Sequence, residues 1–146
     1  MAEVVQVKGL KELGERMRRL SADMAGKVAR QATAAGAGVT RKAIRARAPK
    51  DTGNLQAAIV MKRVRDTNLT EEYIVAPRKG KTRDVKAAKR GEGRLGKDAF
   101  YARFNEFGTV KMPAQPFIRP GFEQSVGPAT EAIAKRLKQR LDKVKA

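Results

Sequence analysis

The amino-acid sequence predicts an α+β fold, and three observations carry the prediction. An apolar stripe with spacings of three and four runs through the first thirty residues. Clusters of β-branched residues separated by turn formers occupy the middle, and a second helical stripe closes the chain. The order is helix, strands, helix rather than alternating strand and helix, so the expected sheet is antiparallel, packed by a long N-terminal helix and a C-terminal helix. At 146 residues, a single domain over 1–146 with one modest core is expected.

Leu10, Leu13, Met17, Leu20, Met24 and Val28 form the first stripe. The Ala-rich continuation contains Gly36 and Gly38, each costing about 1 kcal/mol relative to Ala in a helix, so the helix either packs closely against a neighbour there or hinges. Pro49 ends it. Lys50–Leu55, KDTGNL, has the composition of a turn: Asp51 and Thr52 can bond local backbone, and Gly53 tolerates positive φ. An extended stretch is expected next, with Ile59, Val60 and Val64 on one strand and Tyr73, Ile74 and Val75 on the other. Thr67–Leu69 would turn between them.

The character then changes. From Arg78 to Lys97 there are nine basic residues, Arg78, Lys79, Lys81, Arg83, Lys86, Lys89, Arg90, Arg94 and Lys97, against Asp84 and Glu92, a net +7. So little apolar content predicts a long mobile loop over about 78–99. A strand is expected from Phe100 to Phe107, then a Gly-Thr turn and a Pro-punctuated link to Pro120. The final helix is expected from Pro128 to Val144, with Ile133, Leu137, Leu141 and Val144 on one face.

Lys and Arg outnumber Asp and Glu 33 to 15, and a net charge of +18 implies an anionic partner, either nucleic acid or an acidic protein surface. With no His and no Cys, the common general base, the nucleophilic triads and most zinc sites are gone, so no catalytic residue, metal or cofactor is expected. GEGRLG, Gly91–Gly96, satisfies a dinucleotide pattern but lacks the buried strand before it and the helix opening on its last glycine. Glu71 and Glu72 are adjacent and expected on opposite faces of a strand, and Glu106 is expected to pair with one of the many cations. The Arg41–Lys50 cluster reads either as a phosphate-binding patch or as a solvated face. The opening MAEVVQVKGL has no secretory pattern and the longest apolar run, Ala57–Met61, is too short to span a bilayer, so no membrane partner is expected.

The chain gathers Phe100, Tyr101, Phe104, Phe107 and Phe117 into one short stretch, FYARFNEFGTVKMPAQPFIRPGFE. That stretch resembles an aromatic-x-aromatic-x-E-x-G-T pattern followed by a Pro-containing link and P-F-aliphatic-R-P. The pattern belongs to a family of tail components of long-tailed phages, the tail-completion or neck proteins typified by the tenth gene product of a lambdoid coliphage. VKGLKEL near the start and ARAPKDTGNLQAAI at Ala46–Ile59 are similar to that family's helix entry and link. The resemblance implies a non-enzymatic structural protein of the virion, assembled in the host cytoplasm. It would form a homo-oligomeric ring of six copies that completes the tail and joins it to the head around the DNA channel. Its neighbours would be the head connector or stopper and the tail terminator or tail tube. In that setting the nine cations of 78–97 would meet packaged DNA or acidic partner rings, and Tyr101, Phe104, Phe107, Phe117 and Ile118 would serve the core or a subunit interface. The rival reading from charge alone is a free-standing, non-specific nucleic-acid-binding protein.

Overall fold

The computed structural model describes residues 9–19, 22–50, 53–64, 71–78 and 101–144. Its elements run α1 (Leu10–Arg18), α2 (Ala22–Arg47), α3 (Asn54–Ala58), β1 (Ile59–Val64), β2 (Glu72–Pro77), α4 (Ala102–Phe107) and α5 (Ile118–Val144). The fold is α+β, a two-stranded antiparallel sheet with helices before and after it. Two compact units compose it: Met1–Thr40, Met61–Ile74 and Gln124–Ala146 form one, Arg41–Val60 and Val75–Glu123 the other.

In the first unit the apolar stripes meet as their spacing dictates. Leu13 of α1, Val28 of α2 and Leu141 of α5 are buried together, with Met17 and Leu137 packed against them. Arg16 reinforces the contact by bridging Glu12 on its own helix and Asp142 of α5 at 3.2 Å. Gly36 lets α2 and α5 approach closely: a Cβ there would lie 2.6 Å from Ile133 Cδ1 and 3.2 Å from the Ala129 carbonyl oxygen. Nearby, the buried Ser125 donates its hydroxyl to Thr40 Oγ1 at 3.1 Å. Arg63 forks onto Glu71 at 2.7 and 2.6 Å, and Arg30 reaches the same carboxylate at 3.4 Å.

The second unit is built around Phe117, whose side chain is 1% exposed. It packs with Ile44, Ala48, Leu55, Ile59 and Ala102, and Val75, Tyr101 and Ile118 close the cluster. Polar side chains tie the chain ends around this core. Gln56 donates to the carbonyls of Arg45 and Ala48 at 3.0 and 3.3 Å, satisfying the last turn of α2. Arg45 donates from Nε and Nη2 to the Ile59 carbonyl at 3.1 and 2.9 Å, so this member of the basic cluster holds the entry to β1 rather than lying in solvent.

Four expectations need correction. The N-terminal stripe is divided between α1, which ends at Arg18, and α2, which starts at Ala22, whereas α2 runs unbroken through Gly36 and Gly38. At Gly36 close helix packing, not a hinge, explains the glycine. Asp51 and Thr52 lie outside the described residues, and Gly53, at φ 74°, leads not into a strand but into the one-turn helix α3, which buries Leu55 and Ala58 before the strand begins. The stretch expected as a strand to Phe107 is helical from Ala102. Among the described residues it pairs with no strand, and in this stretch the small Ala102 rather than Phe104 or Phe107 is buried. Finally, α5 starts ten residues before the expected Pro128, which sits in its interior. A proline there removes one helical hydrogen bond, but the helix is held on both sides of it, by Phe117 and Gly121 in the second unit and by Ile133, Leu137 and Leu141 in the first.

Candidate assembly surface

The segment from Tyr101 to Phe122 turns an irregular, Pro-rich sequence into a rigid bracket, and Glu106 is its centre. The Glu106 carboxylate accepts three backbone N–H bonds from the start of α5: Phe117 at 2.8 Å and Ile118 at 2.9 Å on Oε2, and Arg119 at 3.1 Å on Oε1. The next residue, Pro120, has no N–H, and the Gly121 N–H makes the first intrahelical bond, to the Phe117 carbonyl at 3.2 Å. The donors at this helix start are therefore all accounted for. Burial opposes ionisation of Glu106, but the three N–H bonds outweigh it and hold the carboxyl below its usual range. The expected pairing of Glu106 with a cation is thus replaced by helix capping from eleven to thirteen residues upstream.

Further bonds fix the intervening loop. The Gln115 N–H donates to the Asn105 carbonyl at 2.7 Å, and Thr109 and Met112 exchange two bonds at 2.8 and 3.2 Å. Gly108 closes α4 with φ 74°, and a Cβ on it would fall 2.8 Å from the Ala114 nitrogen, so the Glu-Phe-Gly-Thr order has a steric reason.

This bracket holds one aromatic inside and presents others outside. Phe117 fills the core, Tyr101 and Ile118 are half-buried against it, but Phe104 is 47% and Phe107 73% exposed. Among the described residues α4 turns Phe104 and Phe107 outward while burying Ala102. Val110 and Met112 on the following turn are exposed as well. Arg103, Lys111 and Arg119 are exposed in the same segment. Of the nine cations expected to contact DNA or an acidic partner, Arg78 is described and exposed, its N–H bonded to the Ala58 carbonyl at 2.8 Å. Lys79, Lys81, Arg83, Lys86, Lys89, Arg90, Arg94 and Lys97 lie outside the described residues. The Glu71 carboxyl is held below its usual range, chiefly by the hydrogen bonds from Arg63, so it is part of a structural ion pair, while Glu72 is exposed.

The capping role of Glu106 escaped sequence reasoning. A carboxylate about a dozen residues before a Pro-x-x-x-Pro helix entry was the available signal, because a helix start without its own Ser, Thr, Asp or Asn cap needs an acceptor from elsewhere.

No helix among the described residues is long and apolar enough to cross a membrane. No curated protein and no solved structure matches the chain. A family model matches residues 11–108, from the first helix to the glycine that closes α4. The chain belongs to that family, described as "Bacteriophage HK97-gp10, putative tail-component".

Proposed function

We infer that the protein is a non-enzymatic structural subunit of the virion that forms a ring, of six copies by family resemblance, completing the tail and joining it to the head around the DNA channel. The observation that carries this reading is the row of exposed apolar side chains, Phe104, Phe107, Val110 and Met112, on a bracket braced by Glu106. Aromatics held outward on ordered backbone lose little entropy on binding and serve as interface anchors. A charge of +18 keeps the free subunit soluble despite them and suits neighbours that carry acidic surfaces or DNA. In this reading Arg78 and the basic residues to Lys97 contact packaged DNA or acidic partner rings.

The test is Phe107→Asp, examined by native mass spectrometry, by melting and by complementation of a phage lacking the gene. The variant should melt like the parent, since the ring is exposed, yet fail to form rings and fail to yield infectious particles. Infectious particles from Phe107→Asp would sink the interface assignment. A parent chain that stays monomeric and binds duplex DNA tightly, with a steep salt dependence, would instead establish the free-standing nucleic-acid-binding alternative.

A further inference from the structure

The first unit contains a basic groove lined by residues outside the bracket. One hollow, about 580 Å³, runs between α2 and α5 over a floor of Ala34, Ala35 and Ala132, edged by Lys135, Arg136 and Arg140. A further hollow of about 590 Å³ also borders Arg136 and Arg140 and reaches Lys143. A smaller one, about 180 Å³, lies where Met24, Lys27 and Val28 approach Arg140. Asp142 is the one acid among all these lining residues, and it already pairs with Arg16 at 3.2 Å. Arg140 borders all three hollows, and its Nε is buried without a hydrogen-bond acceptor among the described residues.

We propose that this groove seats an acidic amphipathic helix from another polypeptide. A guanidinium takes a carboxylate with two parallel bonds, and Arg140 borders all three hollows, so an incoming Glu or Asp can pair with it there. Small residues on the floor allow a third helix to approach, with its apolar side chains on Ala34, Ala35 and Ala132 and its carboxylates on the flanking cations. Nucleic acid fits less well, because no aromatic ring is among the described residues that line the groove to stack a base and an apolar floor offers nothing to a sugar-phosphate backbone. A second copy of this chain, itself at +18, is a poor source of the acidic helix. The site stands whether or not the chain forms a ring.

The experiment uses the whole protein and a fluorescent synthetic peptide of Glu, Ala and Leu, with Glu on one helical face. Anisotropy should show it binding at least about tenfold tighter than a scrambled peptide of the same composition, a difference of about 1.4 kcal/mol. Arg140→Ala and Ala132→Phe, the second filling the floor without altering charge, should each weaken binding about tenfold, while Lys42→Ala, in the other unit, should leave it within about twofold. Melting curves verify folding. If Arg140→Ala fails to fold, Arg140→Lys and Ala132→Phe carry the test. Equal binding of the scrambled peptide, equal losses from Lys42→Ala, indifference to Ala132→Phe, or displacement of the peptide by a duplex oligonucleotide of equal charge would each overturn the proposal.

Discussion

Replacing Glu106 by Ala removes the acceptor for three backbone donors at once, and the structure sets how much that should cost. The Phe117 and Ile118 bonds, at 2.8 and 2.9 Å, are part-buried, whereas the Arg119 bond, at 3.1 Å, is exposed and water can replace it. Two retained terms of about 1 kcal/mol each, plus about 0.3–1 kcal/mol for a negative charge at a helix N-terminus, give roughly 2–3 kcal/mol. That is a large share of a domain stability of about 5–15 kcal/mol. Glu106→Gln keeps one acceptor oxygen but turns an amide donor toward backbone N–H groups, so about half that loss is expected.

Urea denaturation at neutral pH measures both variants, and amide hydrogen exchange should show Phe117, Ile118 and Arg119 losing protection first. The pH dependence follows from the direction of the shift. The folded-state pKa lies below that of the unfolded chain, so the contribution is complete above the unfolded value, about 4.3, and is lost as pH falls through the lower folded value. The gap between parent and Glu106→Gln should therefore be constant near neutrality and close in acid. A Glu106→Ala protein within about 0.5 kcal/mol of the parent, with unchanged protection at Phe117–Arg119, would refute the capping argument.

Other outcomes follow from the same packing. Phe117→Ala should cost about 3–5 kcal/mol and lower the melting midpoint, because the ring is 1% exposed at the centre of its unit; a parent-like melt would show that the core is not organised around it. Gly38→Ala, which meets nothing within 4 Å, should stabilise by up to about 1 kcal/mol, whereas Gly36→Ala should lose that gain, or worse, against Ile133. Equal effects at the two glycines in denaturant titrations would contradict the close α2–α5 approach. No hydrolase or transferase turnover is expected from a chain without His or Cys, and turnover that disappears in Glu106→Gln would reverse that reading.

Local sequence determined the parts of this protein whose causes are local. The spacing of Leu13, Met17, Val28, Leu137 and Leu141 put each on the apolar face of its helix, α1, α2 or α5, whatever the partners, because a 3.6-residue period sets which side chains share a face. Gly53 and the β-branched residues around Ile59 and Val75 likewise marked a turn and two strands. The tertiary structure decided what depends on a distant neighbour. Phe104 and Phe107 are outward helical residues because no strand among the described residues lies beside them and α4 turns Ala102 to the core. Pro128 stays inside a helix because packing on both sides holds what propensity would break. Glu106 is a cap because a loop of fixed backbone bonds returns it to the start of α5. Hydrogen-bond partners eleven or more residues apart leave no period in the sequence, so their pairing is legible only once the chain has folded.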